Sequence, residues 1–174
     1  MELLVAMSLV LIAFVASSGT LRSYWFTQAL DSAADEAVTG LRRLQEATVS
    51  ESHPVVYGLR LTEPDSGGGI APSEKWDAVR FDPRVTSGPQ CTYTERNDFG
   101  GSLGASVEVA SVTVGDPAEA AVCRDDLGLG SSDKFFFFYP RGNATTGSFV
   151  LRQPMLDKTR TISITGVTGR VTRS

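Results

Sequence analysis

The chain has a single histidine, His53, beside Pro54. An imidazole can serve as a general base near neutral pH, but the sequence places no nucleophile near it. A cap or surface role at a helix end is the expectation. Asp125, Asp126 and Asp133 flank a glycine-containing loop. Hard cations favour clustered carboxylates, yet this spacing does not fit an EF-hand, so a solvated turn is expected. Gly100-Gly101-Ser102-Leu103-Gly104 and Gly128-Leu129-Gly130 lack the Lys-Ser/Thr ending of a phosphate-cradling loop, and neither lies between a strand and a helix. Cys91 and Cys123 form no Cys-x-x-Cys pair and have no histidine cluster, which argues against zinc. These residues lead us to expect no enzyme, no metal and no cofactor.

Charge placement carries more information. The net charge is −4, but residues 134–174 hold +6 and residues 1–133 hold −10. Such asymmetry suits an anion-binding face or an electrostatic match between neighbouring copies. Arg152, Lys158, Arg160, Arg170 and Arg173 are the candidate anion contacts, and would meet phosphates if they lined one edge. At the other end, Glu2 precedes Leu3 to Ala16, a run in which only Ser8 is polar. A carboxylate beside an apolar helix is costly unless it finds a partner. A secretory signal would carry positive charge there, and a simple membrane anchor needs about 20 apolar residues. Asn143-Ala144-Thr145 matches the N-glycosylation acceptor pattern, with Asn143 in a surface turn.

The elements that must position these groups follow from periodicity. At 174 residues, with 41% hydrophobic and 21% charged, the chain is long enough for one folded domain and an appendage. Leu30, Ala34, Ala37, Leu41 and Leu44 step by helical spacing and form one apolar stripe between residues 21 and 50. Joined to the apolar run, this predicts a helix of about 50 residues, roughly 75 Å long, ended by Pro54. Ser17-Ser18-Gly19-Thr20 are weak helix formers and should loosen it. Arg22, Tyr24 and Trp25 would also suit a membrane-interface belt. The rest reads as β. Strands are expected at 55–61, 76–81, 134–139, 147–152, 159–165 and 167–173, with a loop at 63–73. Residues 105–114 form another strand, whose alternation changes phase between Val109 and Val112, as a bulge would cause. Residues 116–121 are ambiguous. The expected architecture is α+β: a hydrophobic helical segment (1–20), its amphipathic continuation (21–53), and an antiparallel β head (54–174).

Glu2 to Ala13, Glu-Leu-Leu-Val-Ala-Met-Ser-Leu-Val-Leu-Ile-Ala, resembles the N-terminal segment of type IV pilins and type II secretion pseudopilins. The C-terminal third supports the resemblance. Phe138-Tyr139-Pro140-Arg141-Gly142, Gly147-Ser148-Phe149-Val150-Leu151, Arg160-Thr161-Ile162-Ser163-Ile164 and Gly169-Arg170-Val171 are similar to the GspH/FimT-like pseudopilins. The resemblance implies a filament subunit, anchored in the cytoplasmic membrane before assembly and then packed among other pilin helices at the cell surface or in the periplasm. It implies that Glu2 neutralises a methylated N-terminal amine, and that Gly19 stands where many pilins melt their helix around a proline. The family places a few residues and a processed leader before this Glu; a start assigned at an internal Met, or a trimmed chain, would explain their absence here. Partners implied are copies of this chain or other pilins, and a pilus or secretion assembly machinery. In an exported chain the even cysteine count reads as a Cys91–Cys123 disulfide, the alternative being two free buried thiols. Some FimT-like minor pilins bind DNA through a Gly-Arg-x-Arg ending during DNA uptake. Here the second arginine, Arg173, comes one residue late, which puts it on the opposite strand face from the expected one. Residues 63–133 match nothing in that family.

Overall fold

A computed structural model describes residues 2–51, 54–64, 75–94, 101–104 and 106–174, with residues 2–20 described by their backbone apart from Met7. His53, Gly100 and most of the 63–73 loop lie outside the described residues, and so do the side chain of Glu2 and the surroundings of Gly19.

Helix α1 (Glu2–Ser50) is unbroken. The loosening expected at residues 17–20 does not occur in its backbone. None of those residues is proline, so each keeps its N–H for the ladder, and glycine costs only about 1 kcal/mol against alanine. The stripe Leu30, Ala34, Ala37, Leu41 and Leu44 is completely buried, with Ala33 and Ala47 beside it. Thr48 ties the helix end to the sheet: its hydroxyl donates to Leu44 O (2.8 Å) and accepts from Tyr57 N (3.3 Å).

The strands follow as β1 (Val56–Thr62), β2 (Lys75–Phe81), β3 (Cys91–Tyr93), β4 (Gly101–Ser102) and β5 (Glu108–Val114). Helix α2 (Ala118–Leu127) resolves the ambiguous segment, and β6 (Asp133–Phe138), β7 (Gly147–Gln153), β8 (Lys158–Thr165) and β9 (Arg170–Arg173) complete the chain. One sheet runs β3-β2-β1-β6, with β4 also on β2; the other runs β5-β7-β8-β9. All pairings are antiparallel. The fold is α+β. The bulge expected in β5 is present, as a register shift between Val109 and Ser111. The last strand is shorter than expected, because residues 166–169 form the β8–β9 turn.

Helix α1 packs on one face of both sheets, and α2 covers the other face of the first sheet. The Phe run shows this directly. Phe136 and Phe138 join the α1-side core, while Phe135 and Phe137 join a second core with Val79, Ala120 and the cystine. A strand covered on both faces has no polar side to present. Cys91 and Cys123 are bonded, linking β3 to α2, and Asp126 accepts from Cys91 N at 2.8 Å. Asp82, just past the end of β2, accepts from Arg84 N (3.1 Å) and from the Arg84 and Arg80 guanidiniums. Those bonds, led by Arg84, hold its carboxyl well below the usual carboxylate range.

The β8–β9 turn closes on Gly169, at φ 59°. A Cβ there would sit 2.5 Å from Gly142 O and 2.6 Å from Gln45 Nε2. Gly169→Ala should therefore lower unfolding free energy by roughly 1–3 kcal/mol in a urea titration. Gly128→Ala, at φ 66° with nothing within 4 Å of the added atom, isolates the backbone part and should cost less.

Candidate functional site

Strand parity decides where the basic residues point. Phe149, Leu151 and Gln153 on β7, and Ile162 and Ile164 on β8, face α1 and are buried. Lys158 and Arg160 share that inward face of β8, beyond the apolar part. Arg160 Nε donates to Asp31 Oδ1 at 2.9 Å, and Lys158 Nζ to Thr27 Oγ1 at 3.1 Å. Arg173 on β9 also turns inward. Its Nη2 lies 3.1 Å from the same Asp31 oxygen, and its Nη1 pairs with Asp35 and donates to Asp31 O. Two strands thus grip one acidic turn of α1, and Asp31 is shared by two guanidiniums.

The other two candidates point outward. Arg152 on β7 is held by Asp157 (2.9 Å) and faces Glu108 at 4.0 Å. Arg170 on β9 is exposed and has no carboxylate partner among the described residues. Arg152 sits opposite Thr159 and Arg170 opposite Thr165, which separates them by roughly 20 Å along β8. The expectation that the five basic residues line one edge is therefore not met. They divide between two faces, because inward and outward positions alternate along a strand. Arg152, Arg160 and Arg173 already hold carboxylates of this same chain. The opposite-face placement expected for Arg173 is observed.

Asp31 and Asp35, which hold these guanidiniums, are the residues that sequence reasoning did not single out. Their only signal was an i, i+4 acidic pair off the apolar stripe. Asp31→Ala should cost about 1 kcal/mol, since paired surface charges contribute modestly. The loss should shrink between low salt and about 1 M NaCl, where screening reaches a few ångströms; urea melts at both salts test this.

Asn143 lies exposed in the turn between β6 and β7, its carbonyl accepting from Tyr139 N at 2.9 Å. Thr145 of the same pattern is occupied: its hydroxyl accepts from Phe137 N at 3.3 Å. Asp133 receives Arg60 Nε and Thr62 Oγ1, each at 2.9 Å, and Gly130 N at 3.1 Å. Asp126 serves Cys91. Those carboxylates fasten the start of β6 to β1 and α2 to β3.

The cover that the head gives α1 ends near Phe26. Leu21, Tyr24 and Trp25 are more than half exposed, and the Arg22 guanidinium lies 5.5 Å from the Phe26 ring centre. Beyond them the helical backbone continues to Glu2. Among the described residues no helix is long and apolar enough to cross a membrane. Comparisons with protein-family models, with curated proteins and with solved structures return no match.

Proposed function

We propose that this chain is a structural subunit of a type IV pilus-like filament, assembled through its N-terminal helix. The observation that carries this reading is α1 itself. One unbroken helix buries its C-terminal half in the head and leaves the head's cover at residues 21–25, then continues toward the apolar run Leu3–Ala16. Such a run needs an apolar partner. At 1.5 Å per residue it rises about 21 Å, against a hydrocarbon core of about 30 Å. Packing among the helices of other subunits satisfies it, with the cytoplasmic membrane as its host beforehand. Exposed Tyr24 and Trp25, with Arg22, suit the boundary between those surroundings and water. Glu2 would then meet a cationic group of a neighbour. A buried pair of that kind sets register more reliably than it adds stability.

The carboxylates held by Arg152, Arg160 and Arg173 favour this reading over a DNA-binding head, since those cations are engaged within the chain.

Glu2→Ala is expected to abolish filament assembly in the source cells while the head melts as before. Normal filament yield from that variant refutes the proposal. Mass spectrometry of sheared filaments then separates an abundant subunit from a rare one.

A further inference from the structure

We propose that the open edge of β9 is a docking site for an extended acidic peptide, which adds to the second sheet as one more strand. The inference does not depend on the filament reading.

The backbone parity of β9 is fixed by its last pair. Thr161 and Ser174 exchange both backbone hydrogen bonds, each at 2.9 Å. Counting back in twos along the antiparallel ladder, Thr172 and Arg170 also bond toward β8. Val171 and Arg173 therefore turn their N–H and C=O groups away from β8. Strand β9 pairs with β8 alone, and no other described backbone group takes those outward donors and acceptors. The opposite edge of this sheet, β5, differs because it lies against β6 of the first sheet.

The free edge opens onto a groove of about 840 Å³ between β9 and the flank of α1. Its α1 wall offers half-buried Val38 as an apolar contact, with polar side chains around it. Among the described residues Arg42 and Arg170, both on this groove, carry no carboxylate partner. Asp35 is already held by Arg173, leaving Glu46 as the one unengaged acid. The balance of free groups favours a negatively charged occupant. The occupant's backbone is specified by the edge: it must be extended to meet the donors and acceptors of Val171 and Arg173. The shortness of β9 and its terminal arginines guard against indiscriminate pairing, so charge and backbone must both match.

The test uses the full chain in detergent micelles and the probe acetyl-Glu-Val-Thr-Val-Glu-amide, followed by amide NMR. Saturable shifts centred on the Val171 and Arg173 amides are expected. A probe with the same charges but every backbone nitrogen methylated should bind about tenfold more weakly or worse, because neither of its edges can donate to a neighbouring strand. The double variant Arg42→Glu, Arg170→Glu, whose far-UV spectrum should match the parent's, should lose about tenfold affinity for the acidic probe. It should gain affinity for the Lys-Val-Thr-Val-Lys analogue. Equal binding of the methylated probe overturns the proposal, as do shifts mapping away from β9. Preferential binding of a short oligothymidylate at Arg42 and Arg170 overturns it too, and assigns the groove to nucleic acid.

Discussion

Phe136→Ala should lower the free energy of unfolding by about 3–5 kcal/mol, the range for truncating a fully buried Phe. Phe136 has no solvent exposure and belongs to the core shared with α1. Its ring lies 5.7 Å from that of Phe149 at a tilt of 57°, so it joins β6 of the first sheet to β7 of the second. It also covers Gly147, where an added Cβ would meet the ring at 2.8 Å. Truncation leaves a cavity at the junction of two sheets and a helix, which cannot all close on it together. Domains of this kind are typically stable by about 5–15 kcal/mol, so the variant should melt far below the parent. Urea titration with amide exchange checks both size and place. Phe136→Ala should loosen both sheets, whereas Phe135→Ala, facing α2, should loosen the first sheet and α2 alone. A loss under about 1 kcal/mol for Phe136→Ala would contradict its place in the shared core.

Removing the cystine should cost nearly as much. The bond closes a loop of sequence separation 32, which in the chain-entropy model stabilises by roughly 3.5–4 kcal/mol. Cys91→Ala with Cys123→Ala is the cleaner variant, since both sulfurs are fully buried and serine would bury hydroxyls. The effect should be uneven. Helix α2 buries only Ala120 and Cys123, so without the bond its amides should exchange first. If reduction leaves both the melting temperature and α2 protection unchanged, the loop closure contributes nothing to this fold.

Much of the fold was legible from local pattern. The stripe from Leu30 to Leu44 repeats at helical spacing and is buried as read. The phase change between Val109 and Val112 marked the β5 bulge, because a bulge shifts which face each residue takes. The four consecutive Phe, 135–138, leave no polar face in a strand, and α1 and α2 cover its two sides. Helix α2 itself was missed because two buried positions make no stripe. Its legible signals were the punctuation: Pro117 at the start and Gly128, at φ 66°, at the end. The short strands β3 and β4 carry too few residues to show alternation. The basic candidates were legible as residue types, but their destinations were not. Arg160 and Arg173 lie 129 and 142 residues from Asp31, and no local pattern encodes a pairing that only the docking of α1 on β8 and β9 creates.

That docking has a mechanical consequence. Helix α1 is covalently joined to the rest of the head only through the link from Ser50 to Val56, while its charged grip at Asp31 and Asp35 lies at the far end of the buried stripe. From Leu30 to Ala47 the stripe spans about 25 Å. Tension along the axis toward Glu2 loads all of it in shear, so every buried side chain must slide together before any is released. A sideways pull loads it in peeling, turn by turn, beginning at the Arg160–Asp31 contact. The fold is therefore built to be strong along the axis of α1 and weak across it.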